Sequence, residues 1–209
     1  MKIQYPALKG GVPRRKILDS RQVMILGIIE YRFAQLSKHR QQHILRVAEM
    51  MTHLAMIHSL SVESGRLAAM GHDLARELSR DALMAEAKRL GLEPSLPEKN
   101  EPVLLHGPVA ALWLEEKNVG GPDVWEAIRY HTTAAPRLSA LAKALFIADG
   151  IEPGRQFEGR VGLERAAKEK SLDEAYILML KETVKYLKSR GLKPHPLMIE
   201  ALEVSDNAV

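Results

Sequence analysis

The chain has 209 residues, of which 46% are hydrophobic and 27% charged, and it contains no cysteine. This composition predicts one ordinary globular domain, and the absence of thiols excludes disulfides, zinc knuckles and thiol catalysis. The net charge of +4 is accompanied by only 5% aromatic residues, which argues against base-stacking platforms for nucleic acid. Without a membrane-length apolar segment or a secretory signal pattern, we expect a cytoplasmic protein that binds neither membranes nor nucleic acid.

In chain order, the predicted elements are all helical. Residues 1–20 hold two prolines and two glycines and predict an irregular arm. Apolar residues then recur at helical spacing over most of the chain. We predict helices at 21–36, 37–54, 62–76, 80–90, 103–117, 123–131, 139–151, 163–167 and 172–190, with a short one ending at 203. Alternating strand patterns and repeats are absent from the sequence. We therefore expect a single all-α domain over 21–203, followed by a flexible tail at 204–209.

Local signals set several of these boundaries. Side chains that favour the start of a helix predict N-terminal caps at Ser20, Ser37, Ser79 and Asp123. Gly91 and Gly191 predict helix ends, because glycine readily adopts the left-handed conformation that terminates a helix. Three prolines between residues 93 and 102 predict a loop.

Six polar side chains interrupt apolar helical segments, where a buried polar group needs a partner. They are His43, His72, Asp73, His106, His131 and Asp149. Taken singly, each is more simply a hydrogen-bonded core histidine or a capping aspartate. Together they supply the nitrogen and oxygen ligands that suit iron, manganese or another first-row metal ion. His39, His53 and His58 lack the same context, and we interpret them as surface or packing residues.

The same residues carry a family resemblance. His43, the pair His72-Asp73 and Asp149 follow one another as in the HD-domain metal-dependent phosphohydrolases. Longer phrases resemble the YqeK-type branch, the symmetrically cleaving diadenosine tetraphosphate hydrolases, from about residue 36 to about residue 201. These phrases are Arg40-x-x-His43, Gly71-His72-Asp73-x-x-Arg76, Leu105-His106-Gly107-Pro108, Tyr130-His131-Thr132 and Ala148-Asp149-x-Ile151-Glu152-Pro153-Gly154-Arg155.

The resemblance implies a helical bundle with a transition metal in its core, iron first and manganese or another first-row ion next, as one ion or two. The implied metal ligands are His43, His72, Asp73 and Asp149. The implied catalytic residues are Asp73, Arg76, His106 and His131. The implied nucleotide and phosphate contacts are Arg40, Arg76, His106, His131, Thr132, Arg155, Lys193, Pro194 and His195. The implied reaction is hydrolysis of a dinucleoside tetraphosphate to two nucleoside diphosphates (ADP) by metal-activated water.

Three departures from the family pattern leave the substrate open. Arg76 stands in place of the usual lysine, Gly150 in place of a tyrosine, and Ala134-Ala135 where a glycine is common. The alternatives are an HD phosphohydrolase that acts on mononucleotides and a catalytically inactive nucleotide-binding module. The apolar segment 23–29 could pair with a second chain, so a homodimer is a further hypothesis.

Overall fold

The computed structural model describes residues 20–206, with side chains from 27 to 205, so all of the predicted arm (1–20) except its last residue lies outside it, as do the last three residues of the chain. The helices are α1 Ser20–Gln35, α2 Lys38–Ile57, α3 Val62–Gly71, α4 Arg80–Arg89, α5 Leu96–Asn100, α6 His106–Glu116, α7 Pro122–Tyr130, α8 Ala140–Ile151, α9 Arg160–Glu169, α10 Leu172–Ser189 and α11 Pro196–Asp206. A 3₁₀ turn, Pro102–Leu105, precedes α6. Residues 20–206 contain no strand, which confirms the all-α prediction. None of the helices in this range is both long and apolar enough to cross a membrane.

Capping explains most of the helix starts. The side chains of Ser37 and Ser79 accept hydrogen bonds from the backbone N–H groups three residues later, as predicted. Asp123 is not the cap of α7, because Gly121 takes that position and Asp123 lies in the first turn. Pro122 determines this outcome, since a proline suits the first helical position, where its missing N–H costs no hydrogen bond. Ser20 is helical and is the first described residue of α1, so its predicted role as a cap falls at the edge of the described residues.

The two predicted glycine stops are present. Gly91 and Gly191 have φ angles of +71° and +69°. In each case the next residue donates its N–H back to a carbonyl in the last turn, Leu92 to Ala87 at 2.8 Å and Leu192 to Leu187 at 2.9 Å. These bonds satisfy carbonyl groups that the helix end would leave free.

Helix α3 ends at Gly71 and not at Arg76 as predicted. The carbonyl of Ala69 would accept the N–H of Asp73 in a continuing helix, but it lies 2.7 Å from Nδ1 of the His72 ring. Residues 72–78 instead form successive tight turns, in which Arg76 N–H donates to the Asp73 carbonyl at 3.0 Å. This change of path places His72 and Asp73 at a helix end, where both side chains face the core.

Other boundaries also differ from the prediction. The segment 103–117 divides into the 3₁₀ turn and α6, because Pro108 has no N–H for the carbonyl of residue 104. The predicted loop at 93–102 contains α5, where Glu98 accepts the N–H of Ser95 at 2.7 Å. Helix α9 is longer than predicted, and α11 runs three residues beyond 203. The domain boundaries stay a prediction.

The core surrounds α8, which packs against α2, α3, α7, α9 and α10. Its buried residues cover several sides of the helix and are Leu141, Ala142, Ala144, Leu145, Phe146, Ile147, Ala148 and Ile151. Helices α3 and α7 approach closely, because a Cβ atom at Gly71 would lie 2.6 Å from Cδ1 of Ile128. Helices α2, α3, α7 and α8 pack against one another around the part of the core where the polar residues of the next subsection lie.

Candidate metal and phosphate site

The structure brings the six polar residues together. His43 lies within α2, His72 and Asp73 follow α3, His106 begins α6, His131 follows α7 and Asp149 lies near the end of α8. The four histidines and Asp73 are each at most 3% exposed, and the Asp149 side chain is 19% exposed. His39 and His53 are exposed, and His58 contacts the Ala167 carbonyl at 2.8 Å. The sequence context therefore separated the cluster histidines from the others.

Asp73 lies between two groups of donors. Its Oδ2 is 3.5 Å from Nε2 of both His43 and His72. Its Oδ1 is 3.2 Å from Nε2 of His106 and 3.6 Å from Nε2 of His131. Asp149 completes the first group, with Oδ1 3.1 Å from Nε2 of His43. Three overlapping triads of these residues each have ligand atoms within 4.8 Å of one another. This set of imidazole and carboxylate donors fits a first-row divalent metal ion.

Three of the histidine rings are fixed by backbone carbonyls three residues earlier. Nδ1 of His72 lies 2.7 Å from the Ala69 carbonyl. The corresponding distances are 2.5 Å for His106 and 2.7 Å for His131. A carbonyl can only accept a hydrogen bond, so each Nδ1 carries a proton and each Nε2 faces the cluster. An unprotonated Nε2 can ligate a metal ion, whereas an Nε2 that also carries a proton can donate to a phosphate oxygen.

Burial and mutual contact set the charges of the cluster. Burial lowers the pKa of His72 to about 4 and also lowers the pKa of His106. Burial alone would raise the pKa of Asp73, but the neighbouring histidines hold it well below its usual range. The pKa of Asp149 is likewise lowered, because a hydrogen bond with His43 and the charge of Arg155 outweigh burial. Burial alone would lower the pKa of His131, but its hydrogen bond with Asp73 and the charge of that carboxylate raise it. The ionised carboxylates and the neutral His72 and His106 are in the protonation states that bind metal.

Two arginines and a threonine border the cluster. NH1 of Arg40 donates to Oδ2 of Asp73 at 2.6 Å. NH2 of Arg155 donates to Oδ1 of Asp149 at 2.6 Å, and its side chain is 43% exposed. Oγ1 of Thr132 lies 3.3 Å from Nε2 of His106. These three residues of the predicted nucleotide-binding set therefore touch the cluster directly.

The other residues of that set make no hydrogen bond or ion pair with the cluster in the described part of the chain. Arg76 is half-buried, and its side chain makes no hydrogen bond or ion pair with residues 27–205. Lys193 is exposed and Pro194 is half-buried. Nδ1 of His195 accepts the Leu197 N–H at 3.2 Å.

A small cavity lies next to the segment that follows His195. Leu197, together with Glu98, lines this cavity of about 210 Å³, whose wall also includes Leu105 and Tyr130. Glu98 is close enough to His195 to act on its pKa, which burial lowers. Leu105 and Tyr130 directly precede two cluster histidines, so the cavity places the tail near the His106 and His131 side of the cluster.

The prediction missed a buried carboxylate. Glu152 is 2% exposed, and its Oε1 lies 3.1 Å from Nδ1 of His43. Burial alone would raise the pKa of Glu152, but hydrogen bonds, above all from Arg46, lower it. The available signal was spacing, because Arg46 follows His43 by three residues and Glu152 follows Asp149 by three residues. Residues three apart share a helix face.

The structure shows the surroundings of Gly150 and the backbone conformation of Ala134, at two of the departures from the family pattern. A Cβ atom at Gly150 would lie 2.3 Å from Cε of Met179, so Met179 fills the space beside this glycine. Ala134 has a φ angle of +54°, a conformation that glycine adopts without the steric cost of roughly 1–2 kcal/mol. Glycine would therefore suit position 134, and alanine carries that cost here.

Comparison with known proteins agrees with this arrangement. Residues 40–154 match the HD domain family. The chain is 34% identical to the symmetrical bis(5'-nucleosyl)-tetraphosphatase of Halalkalibacterium halodurans, over 77% of this chain and 86% of that protein. The protein of that name from Bacillus subtilis is 32% identical, over 78% of this chain and 87% of the relative.

A solved structure shows the same fold. It is a predicted HD superfamily hydrolase involved in NAD metabolism from Clostridium acetobutylicum, with a TM-score of 0.80 and 32% identity over 88% of this chain and 97% of that one. The family match covers more than half of the chain, and relatives above 30% identity extend over most of it. The chain belongs to the HD-domain family, in the group that contains the symmetrical bis(5'-nucleosyl)-tetraphosphatases.

Proposed function

We propose that this protein hydrolyses diadenosine tetraphosphate and related dinucleoside tetraphosphates symmetrically, releasing two nucleoside diphosphates. The names of the relatives support this substrate, because proteins 31–34% identical over most of their length carry it. The observation that carries the proposal is the position of Asp73 between two pairs of histidines. Its Oδ2 faces His43 and His72. Its Oδ1 faces His106 and His131. Such a site can hold a cation and an anionic phosphate side by side.

The proposed metal ligands are His43, His72, Asp73 and Asp149. Their mixed nitrogen and oxygen atoms favour iron as the first choice and manganese as the next. The triad of Asp73, His106 and His131 also has ligand spacing, so a second ion is an alternative use of these histidines. A bound ion would supply Lewis-acid charge stabilisation and lower the pKa of a water molecule.

The remaining residues act on the tetraphosphate. Arg40 and Arg155 border the carboxylates, where their guanidinium groups offset charge on the phosphoryl oxygens. Thr132 adds a hydroxyl group beside His106, and Arg76, Lys193, Pro194 and His195 complete the proposed nucleotide contacts. Asp73 or Asp149 orients the attacking water. His131 or His106, in its protonated form, donates a proton to the leaving ADP, so attack at an inner phosphorus gives two molecules of ADP.

We also propose a cytoplasmic enzyme that acts on a small molecule and binds neither nucleic acid nor membranes. A homodimer formed through the apolar segment 23–29 is part of this proposal. Analytical sedimentation of the purified chain measures its molecular mass in solution and so tests the dimer directly. A monomer mass at micromolar concentration would contradict the dimer.

The test of function is a product assay. Purified protein is incubated with diadenosine tetraphosphate in the presence of Fe²⁺, Mn²⁺ or a chelator, and the nucleotides are separated by chromatography. We expect ADP as the only product, and no turnover with the chelator. The His72→Ala variant should be inactive, whereas His53→Ala, which changes an exposed histidine of α2, should match the unmodified protein.

The other outcomes would contradict the proposal. ATP and AMP as products would mean asymmetrical cleavage. Turnover of mononucleotides without ADP from the tetraphosphate would indicate a different HD phosphohydrolase. Nucleotide binding without any turnover would indicate an inactive binding module.

A further inference from the structure

His43 differs from the other three cluster histidines in how its ring is held. His72, His106 and His131 lie at helix ends, where a carbonyl three residues earlier is available to Nδ1. His43 is the sixth residue of the 20-residue helix α2. In a helix interior the preceding carbonyls already accept backbone N–H groups. The ring of His43 therefore needs a hydrogen-bond partner from another part of the chain.

Glu152 provides that partner from the end of α8. Its Oε1 lies 3.1 Å from Nδ1 of His43, and both side chains are buried. The opposite ring nitrogen, Nε2, lies 3.1 Å from Oδ1 of Asp149 and 3.3 Å from Nε2 of His72. The imidazole thus spans the space between a buried carboxylate and the candidate metal ligands.

The carboxylate of Glu152 is itself held in place. Nε of Arg46 donates to Oε2 at 2.5 Å, and NH2 of Arg46 donates to Oε1 at 3.2 Å. The backbone N–H of Gly154 donates to Oε2 at 2.5 Å. A Cβ atom at position 154 would lie 2.2 Å from NH2 of Arg46, so a larger residue would displace the guanidinium. These donors keep a buried carboxylate fixed and able to accept a further hydrogen bond.

We infer that Glu152, held by Arg46 and Gly154, is a positioning residue that keeps the His43 proton on Nδ1 and directs the Nε2 lone pair toward the metal. The inference rests on the proposed metal site. A carboxylate behind a ligating histidine fixes its tautomer and raises its basicity, and removing such a partner typically costs about 10–100-fold in metal affinity. A purely structural role, in which Glu152 and Arg46 only join α8 to α2, would leave the tautomer unchanged.

The experiment compares Glu152→Ala and Glu152→Gln with a matched control, Glu86→Gln. Glu86 also accepts hydrogen bonds from an arginine and from a ring N–H, Arg89 at 2.9 Å and Trp113 at 3.0 Å, away from the cluster. Long-range ¹⁵N–¹H NMR spectra of the metal-free proteins report which ring nitrogen of His43 carries the proton, with His43→Gln used for assignment. Competition with a chelator measures the affinity for Mn²⁺.

We expect the proton on Nδ1 in the unmodified protein and in Glu86→Gln, with Mn²⁺ affinities within twofold of each other. Glu152→Ala should show a population with the proton on Nε2 and a 10–100-fold weaker affinity. Glu152→Gln retains an acceptor oxygen, so its Mn²⁺ affinity should lie between those of the unmodified protein and Glu152→Ala. An unchanged tautomer together with unchanged affinity in Glu152→Ala would overturn the inference.

Two further results separate this inference from the proposed function. If the unmodified protein binds no Mn²⁺ or Fe²⁺, the proposed metal site is wrong. The position of the His43 proton in the metal-free proteins then decides by itself whether Glu152 is a positioning residue. If Glu152→Ala does not fold, the His43 tautomer and the Mn²⁺ affinity are compared in Glu152→Gln and Arg46→Met instead. Arg46→Met leaves the carboxylate without its main donor, so we expect it to weaken Mn²⁺ binding less than Glu152→Ala would.

Discussion

NH1 of Arg40 lies 2.6 Å from Oδ2 of Asp73, so the carboxylate oxygen that faces His43 and His72 is already paired with a cation. This pairing predicts that Arg40 both competes with a metal ion and provides a phosphate contact. In Arg40→Met, we expect the affinity for Mn²⁺ to rise severalfold, because a positive charge next to a ligand is removed. The KM for diadenosine tetraphosphate should rise at the same time, since a phosphate partner is lost.

Arg80→Met is the control for this prediction. Arg80 forms an exposed ion pair with Glu101, and such pairs contribute little, so both constants should stay near those of the unmodified protein. Chelator competition and steady-state kinetics provide the two measurements. A lower Mn²⁺ affinity in Arg40→Met would mean that Arg40 orients Asp73 for the metal rather than competing with it.

His131→Ala tests the division between metal ligands and phosphate contacts. His131 lies 3.6 Å from Oδ1 of Asp73, on the side away from His43. If it protonates the leaving group, kcat should fall by about 10²–10⁴-fold, the usual contribution of general acid catalysis. The metal content, measured by elemental analysis, should not change. Loss of one equivalent of metal from a protein that binds two would instead assign His131 to a second ion.

The sequence predicted the parts of the site that depend on residue type. Polar residues inside apolar helical segments identified His43, His72, Asp73 and Asp149, because burial without a partner is costly. The serine cap of α2 and the glycine stops of α4 and α10 were likewise predictable, since they depend on local conformation.

The remaining features depend on contacts between distant segments. The early end of α3 requires the ring of His72 to bond the Ala69 carbonyl, which helical periodicity does not reveal. The contact of Glu152 with His43 joins residues 109 positions apart, so the three-residue spacing within each segment indicates a shared helix face but not this pairing. Met179 beside Gly150 is a contact between α10 and α8, and spacing within one helix cannot predict it.

Glu77→Gln should reduce stability in a manner that depends on pH. Glu77 accepts the N–H of Ser37 at 2.7 Å and its hydroxyl at 2.6 Å. Burial would raise the pKa of Glu77, but these two bonds lower it. Because the pKa is lower in the folded state, the stabilisation is present above the unfolded-state pKa of about 4.3 and is lost as the pH falls through the folded-state pKa.

We therefore expect Glu77→Gln to be less stable than the unmodified protein at pH 7, by roughly 1 kcal/mol or less for an exposed group. The difference should shrink below pH 4. Urea unfolding at pH 7 and at pH 3.5 measures it. A difference that is the same at both pH values would show that the charge of Glu77 does not contribute.

Gly150→Ala and Gly162→Ala should change stability in opposite directions, although both glycines lie within helices. A Cβ atom at Gly150 would lie 2.3 Å from the end of the Met179 side chain, whereas one at Gly162 would meet no atom within 4 Å. Overpacking at position 150 should cost about 1–3 kcal/mol. Alanine at position 162 should stabilise by about 0.5–1 kcal/mol, because it restricts the unfolded chain and favours the helix.

Urea midpoints at an unchanged m value measure both effects. Met179→Ala in the Gly150→Ala background removes the clash, so the double variant should lose less than the sum of the two single losses. Additive losses of stability would mean that Met179 moves aside without cost when a side chain is present at position 150. In that case Gly150 and Met179 would not together limit the space next to Asp149.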